Sequence, residues 1–202
     1  MTKSKTASAA FVTRAGAGAI ELRSAQEGEN ITVAGYAAVF NAEADIGGFF
    51  IEKIAPGAFD DVLDADVRFL INHAGLPLAR SSAGNLRLSV DQRGLYFEAD
   101  LDPADPDVVS LVAKIRAGTV REMSFAFRAD KETWDETGEI PVRTIDHIAD
   151  LRDVAAVTYP AYAEADIALR CLEAAGIDRP GANNSQARAA SALRRKFALA
   201  LS

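Results

Sequence analysis

Hydrophobic and polar residues alternate along several short stretches of the chain. The clearest case is Leu95–Leu101, where every second residue is apolar, as in a strand with one buried face. The polar segment Asp91–Gly94 separates it from another apolar stretch, Leu86–Val90, so the two predict a β-hairpin. Further strands are predicted over Asn30–Phe40, Phe49–Ile54, Asp66–Asn72, Val120–Ala129, Val142–Asp150 and Val154–Thr158. About six to eight strands are therefore expected.

The strongest helix signal covers Pro106–Ala117. Asp105 before it is a typical N-cap, and Gly118 after it is a typical C-terminal stop. Four apolar residues share one side of this helix: Val108, Leu111, Val112 and Ile115. We expect this side to pack against an apolar surface, either the core of the domain or a second copy in a dimer.

Three weaker helices are predicted. A short one covers Pro56–Leu63, and another covers Ala163–Ala175, which ends at Gly176 and places Ile167, Cys171 and Ala174 on one stripe. The last begins at Ser185 and carries basic residues beside its apolar face: Arg188, Arg194, Arg195 and Lys196.

The two ends of the chain differ from its middle in composition. Residues 1–18 are rich in Ala, Gly and Ser without periodicity, which indicates a flexible arm. Residues 177–202 are predicted to form a linker followed by a basic amphipathic tail. The domain is expected over residues 19–176. Because strands do not alternate regularly with helices, the predicted fold is α+β, with a mostly antiparallel, barrel-like sheet and a few surrounding helices.

Charge and composition narrow the function classes. The chain has 202 residues and a net charge of −7, which argues against direct binding to nucleic acid. Its single cysteine cannot form an internal disulfide. The chain contains no continuous apolar stretch that predicts a membrane span or a signal peptide. A soluble intracellular protein without a membrane partner is expected.

Only two histidines are present, His73 and His147, so any chemistry that needs an imidazole depends on one of them. His73 shares parity with Phe69 and Ile71, which places it on the apolar face of a strand where Gly75 follows. A buried histidine bonded to backbone is the commoner role for such a position. A catalytic role requires a partner that the imidazole can deprotonate.

Ser124 is the candidate partner. It lies in a predicted strand between Met123 and Phe125, beside the small residue Ala126, and a serine hydroxyl becomes a good nucleophile when a base removes its proton. A third group must orient the imidazole. The candidates for that role are His147, Asp146, Asp150 and Asp153. Asp153 is favoured because it precedes a short apolar strand.

Two other functions stay open at this point. A metallohydrolase would use His73, His147 and carboxylates, although the sequence has no HExxH or CxxC motif. A non-catalytic shell or scaffold protein would keep the fold without the chemistry. Glycine-rich phosphate loops are absent from the sequence, and neither a cofactor nor a metal is expected.

The body of the chain resembles the prohead proteases of tailed bacteriophages, which are capsid-maturation serine peptidases similar in fold to the herpesvirus assembly protease. The matching segments are GYAAVFN (35–41), IAPGAF (54–59), INHAGLPLAR (71–80), GLYFEADL (94–101), IRAGTVREMSFAF (115–127) and LRDVAAVTYPAY (151–162). The order and spacing of these segments agree with those of the family over roughly residues 31–170. The resemblance implies that His73 is the general base, Ser124 the nucleophile and Asp153 the third member, at a position where relatives tend to carry Glu.

The same resemblance implies a function. It predicts a serine endopeptidase that cleaves the scaffolding segment of the major capsid protein, and itself, during procapsid maturation. The major capsid protein is then the partner, and a homodimer or higher oligomer is expected. The enzyme is expected inside the procapsid in the host cytoplasm. Separately from the resemblance, the charge of the basic tail favours docking to an acidic coat or scaffold surface.

Overall fold

The computed structural model describes residues 2–6, 11–24, 30–159 and 165–177. Its strands are β1 (Thr2–Thr6), β2 (Val12–Ser24), β3 (Ile31–Val39), β4 (Ala44–Ile46), β5 (Phe50–Ile54), β6 (Arg68–Ile71), β7 (Ala74–Arg80), β8 (Leu86–Val90), β9 (Gly94–Leu101), β10 (Glu122–Asp135) and β11 (Val142–Val157). Its helices are α1 (Pro106–Arg116) and α2 (Ala165–Ala174), with 3₁₀ turns at Asp60–Val62 and Ser81–Ala83.

The strands of the described residues form one mixed, curled sheet. The main order is β4-β5-β11-β10-β2-β3-β9-β8, while β1 pairs with β10, and β6 lies between β11 and β7. β11 is parallel to both β5 and β6, and the other pairings are antiparallel. The predicted α+β class is confirmed, but the sheet is mixed rather than mostly antiparallel and has more strands than expected. Periodicity identifies a strand without giving its direction or partner, which is why the parallel pairings were missed.

The hairpin and the first helix follow the predictions closely. β8 and β9 pair antiparallel, and the buried residues of β9 alternate with half-exposed ones. The Asp105 side chain caps α1 by accepting a hydrogen bond from the Asp107 amide at 2.8 Å. The apolar side of α1 is buried in the main core, so this side is not available as a dimer face.

Several other elements differ in extent from the predictions. The segment expected to form a helix over residues 56–63 contains only the 3₁₀ turn Asp60–Val62. α2 ends before Gly176 as predicted, with a positive φ of 59° at that glycine. Its buried stripe includes Cys171 and Leu172, whereas Ala174 is exposed and Ala175 is buried.

Two groups of apolar side chains form the interior. The larger lies between the curled sheet and α1 and includes the stacked rings of Phe125 and Phe127, 4.8 Å apart. The smaller joins α2 to the Phe50 and Trp134 rings, which meet edge to face. No helix in the described ranges is long and apolar enough to cross a membrane.

β2 connects two parts of the sheet. Its first half pairs with β10, and its second half pairs with β3. The strands cross closely at Gly18 and Gly35, where an added Cβ would lie within 2 Å of a carbonyl oxygen of the other strand, so only glycine fits at either position. Residues 2–6 and 12–18, which lie in the segment expected to form a flexible arm, belong to paired strands. The predicted tail helix from Ser185 lies outside the described residues.

Candidate active site

The three side chains singled out in the sequence come from neighbouring parts of the sheet. Ser124 lies in β10 opposite Ala155 of β11, and Ala126 lies opposite Asp153. Paired residues in an antiparallel sheet point to the same face, as do residues two apart on one strand. Ser124 and Asp153 therefore share a face. β6 runs on the other side of β11 and ends in the turn that carries His73.

His73 lies in a tight turn rather than on the face of a strand. Ile71 pairs with Ala74, and the two residues between them, Asn72 and His73, have φ values of 52° and 57°. Two positive φ angles in a two-residue connection are the signature of a type I′ turn. The expected strand position of His73 was wrong for this reason. Left-handed backbone costs roughly 1–2 kcal/mol for a residue with a Cβ, so the surrounding contacts must hold this turn in place.

Asn72 supplies those contacts. Its amide side chain donates to the Thr158 hydroxyl at 3.3 Å and accepts from the Thr158 amide at 2.8 Å. Its own backbone amide donates to the Ala156 carbonyl at 2.9 Å. Asparagine is also among the residues that tolerate positive φ best. Asn72 therefore fixes the turn, and with it His73, against the end of β11.

The three side chains form a continuous hydrogen-bonded chain. Nδ1 of His73 lies 2.6 Å from Oδ1 of Asp153, and Nε2 lies 2.7 Å from Oγ of Ser124. Ser124 is fully buried and Asp153 is nearly so, whereas the His73 side chain is 16% exposed. With its Nδ1 proton held by a carboxylate, the imidazole presents Nε2 to the hydroxyl as a base.

The other candidates for the group that orients His73 lie elsewhere in the structure. His147 bridges two other carboxylates, with Nδ1 against Asp130 and Nε2 2.9 Å from Asp61. Hydrogen bonding to Asp130 and Asp61 raises the pKa of His147 above its ordinary value. Asp146 accepts a hydrogen bond from Thr133 at 2.6 Å. Asp150 lies opposite Arg128 in the sheet. The carboxylate that reaches His73 is therefore that of Asp153.

The structure gives a metal centre no support within its described ranges. There, no group of three or more His, Cys, Asp and Glu side chains is arranged to hold a metal ion. The two histidines engage separate carboxylates.

Comparison with known proteins identifies the family of the chain. The sequence profile of the caudovirus prohead serine proteases matches residues 19–179. The chain belongs to this family. One relative is the prohead protease of Enterobacteria phage HK97, which is 32% identical over 154 residues, or 73% of this chain. The match spans 64% of the length of that relative.

One solved structure is also similar to this member of the prohead protease family. It is the bacteriophage T4 capsid assembly protease gp21, with a TM-score of 0.49 and 14% sequence identity. The similarity covers 78% of this chain and 99% of the T4 chain.

A strand of the chain itself covers the candidate nucleophile. Residues 12–16 of β2, here called the covering segment, precede the family match and pair with β10, with Ala15 opposite Ser124. The Ser124 hydroxyl donates to the carbonyl oxygen of Arg14 at 2.8 Å. A hydroxyl has one proton, so this bond competes with donation to His73. The covering segment thus holds the site in an arrangement that disfavours attack by Ser124.

The Arg14 side chain belongs to a buried ionic cluster that the sequence did not reveal. It donates to both carboxylate oxygens of Glu52, at 2.7 and 3.3 Å. Arg143 donates to the same Glu52 at 2.7 Å and to Glu132 at 2.8 Å. Glu132 also accepts from the indole of Trp134 at 2.8 Å. All four charged residues are no more than 3% exposed, and buried charges of this kind require such partners.

The cluster favours the charged forms of Glu52 and Arg143. Burial by itself raises the pKa of Glu52, but the guanidinium groups of Arg14 and Arg143 lower it below its ordinary value. Burial opposes the charged form of Arg143 as well, yet Glu52 and Glu132 raise its pKa. The members come from strands far apart in the chain and follow no local motif, so periodicity contains no signal for them.

Proposed function

We propose that this chain is a serine endopeptidase that matures phage capsids. The observation that carries the proposal is the hydrogen-bonded chain from Asp153 through His73 to Ser124. Membership of the prohead serine protease family supports the same reaction class.

In the proposed reaction, Ser124 Oγ attacks the carbonyl carbon of a peptide bond while Nε2 of His73 takes its proton. The C–N bond then breaks, and His73 returns the proton to the leaving amine. Water then attacks the carbonyl carbon of the acyl-enzyme while Nε2 of His73 takes its proton. The ester bond breaks, and His73 returns the proton to Ser124 Oγ. Asp153 holds the imidazole by its Nδ1 proton and stabilises the imidazolium that forms in each step.

The proposed substrate is the scaffolding segment of the major capsid protein, followed by the protease itself. A relative named a prohead protease supports this substrate class. Inside a shell in the host cytoplasm, enzyme and substrate meet at high effective concentration, so an enzyme that is slow in dilute solution acts after assembly. We also expect a homodimer or higher oligomer, a protease domain over residues 19–176, and a fold like that of the herpesvirus assembly protease.

Co-expression with the coat protein of the same phage tests this proposal. The intact mass of the coat protein from purified particles should decrease by the mass of an N-terminal segment when the native chain is present. With Ser124→Ala the coat protein should keep its full length. Equal masses in both samples would indicate a scaffold role without catalysis.

A second experiment separates serine chemistry from metal chemistry. A fluorophosphonate probe should label the native chain at Ser124, and labelling should disappear in His73→Ala because the hydroxyl then lacks its base. A chelator should leave cleavage unchanged. Loss of cleavage with the chelator and absence of labelling would instead favour a metallohydrolase.

A further inference from the structure

The covering segment lies where a peptide substrate must bind. One edge of β10 pairs with β11, and the other edge at Ser124 pairs with the covering segment. Peptides commonly bind proteases and other receptors by adding a strand to an open sheet edge. Because Ser124 has no exposed surface, a substrate must displace a part of the chain to reach it, and the covering segment holds the strand edge next to Ser124.

The covering segment places one of its carbonyl groups beside the nucleophile. The carbonyl oxygen of Arg14 lies 2.8 Å from Ser124 Oγ. In an acyl transfer the carbonyl beside the nucleophile belongs to the residue just before the bond that is cut. In a substrate strand bound in the same register, the residue just before the cut takes the place of Arg14.

The side chain of Arg14 enters a pocket that is built for a cation. It is 2% exposed and reaches both oxygens of Glu52, the fork-to-fork arrangement that favours arginine. Among the described residues, the other guanidinium that bonds Glu52 and Glu132 is that of Arg143. Without Arg14 the buried cluster holds an excess negative charge, which burial makes unfavourable unless a second cation enters.

The covering segment is separable from the rest of β2. The pairing with β10 is irregular between Glu122 and Ser124, and Ala17 has a φ of 50°. From Ile20 onward the strand pairs regularly with β3 as far as Leu22. Residues 12–16 also precede the family match, which begins at position 19. The segment can therefore leave β10 while the second half of β2 stays paired.

From these observations we infer that Glu52 determines substrate specificity, and that the groove beside β10 takes a peptide strand with Arg or Lys immediately before the bond that is cut. This inference rests on the proposed endopeptidase function. Arg14 fills the basic position in the structure described here, and the covering segment is a built-in competitor that a substrate strand displaces.

Peptide hydrolysis by full-length variants tests the role of Glu52. Three quenched fluorescent peptides differ only in having Arg, Lys or Gln at the residue before the cut. The native chain should prefer Arg and Lys over Gln by about 100-fold in kcat/KM, as expected for a buried charge pair. Glu52→Gln should reduce this preference to a few-fold. Glu132→Gln is the matched comparison, because Glu132 is equally buried and bonds Arg143 without contacting Arg14. It removes the same negative charge but leaves the direct contact in place, so it should reduce the preference less than Glu52→Gln does.

Variants of the covering segment provide a second measurement that leaves Glu52 intact. Arg14→Gln weakens the competitor and should lower KM for the Arg peptide about tenfold, while kcat changes little. Arg14→Lys keeps a cation in the pocket but loses the paired bonds of a guanidinium, so it should lower KM less than Arg14→Gln does. A change of KM of equal size in both variants would contradict the competitor role.

The outcomes separate this inference from the proposed function. Cleavage after non-basic residues, or equal loss of preference in Glu52→Gln and Glu132→Gln, overturns the specificity assignment and leaves the endopeptidase proposal intact.

If the native chain cleaves no peptide, the endopeptidase proposal fails, and the specificity of the pocket is then tested by peptide binding. For that purpose a labelled hexapeptide FVTRAG, which copies residues 11–16, is titrated against Ser124→Ala. Binding at least tenfold tighter than that of FVTQAG supports the pocket, and equal binding overturns it.

Discussion

Asn72 and Thr158 are joined by two hydrogen bonds, one from each direction, although 86 positions separate them in the chain. The pair ties the β6–β7 turn to the end of β11. His73 follows Asn72 directly and shares its positive φ, so the position of the imidazole depends on this contact. The site is therefore organised by a side chain that takes no part in the chemistry.

Replacement of Asn72 should lower the rate through His73. Asn72→Ala removes both side-chain bonds and places an unfavourable residue at positive φ, with an expected loss of about 2–3 kcal/mol in the free energy of unfolding. A small displacement of a catalytic base is costly, so kcat should decrease roughly tenfold or more with little change in KM. Steady-state kinetics and denaturant unfolding measure the two effects.

Asn72→Gly is the control for this prediction. Glycine adopts positive φ without strain but lacks the amide, so it should recover part of the stability and little of the rate. Equal kcat in the native chain and in Asn72→Gly would show that the amide does not position His73.

The proposed triad should respond to mutation as a unit. Ser124→Ala and His73→Ala should each reduce kcat by roughly 10³-fold or more, because either change removes the activated hydroxyl. The double variant should be hardly slower than either single one. Single-turnover cleavage of the same peptide measures all three rates. Multiplicative losses would mean that the two side chains act independently.

Asp153 and His147 should differ sharply in their effect on the rate. Asp153→Asn keeps the shape but removes the carboxylate that accepts the Nδ1 proton of His73, and kcat should decrease by roughly 10³–10⁴-fold. His147→Gln should leave kcat within about twofold, since His147 bonds Asp130 and Asp61 instead. A larger effect of His147→Gln would assign it a role in catalysis.

His147 should also make stability depend on pH. Its pKa is raised in the folded state by Asp130 and Asp61, so its stabilising contribution is complete below the ordinary value of about 6.5 and is lost as pH rises through the raised value. Asp130, whose pKa is lowered by His147, loses its contribution only in acid. The Tm of the native chain should exceed that of His147→Gln by about 1–3 °C near pH 5.5.

The same difference in Tm should shrink toward zero at alkaline pH, where the imidazole is neutral in both states. Thermal unfolding at a series of pH values measures it. A difference that grows with pH would contradict the assignment of the two ion pairs.

Local patterns in the sequence predicted much of the scaffold. The alternation in Leu95–Leu101 gave the correct buried face of β9, and the Asp105 and Gly118 signals bounded α1 to within one residue. These features depend on side-chain period and on capping, which act over a few residues. The chain has only two histidines, and few other side chains can serve as a base near neutral pH. His73 was therefore identifiable from the sequence as a candidate base.

The sequence alone predicted most of the strands and helix α1, the residue types that are available for chemistry, and the family to which the chain is similar. Tertiary structure decided the parallel pairing of β11 with β5 and β6, the turn that presents His73, and the placement of Arg14 against Ser124 and Glu52. The physical reason is the sequence separation of the contacts involved. Periodicity and helix caps depend on residues that are near neighbours in the chain. Strand direction and buried ion pairs depend on contacts between segments tens of residues apart, whose free energy is settled only when the whole sheet packs.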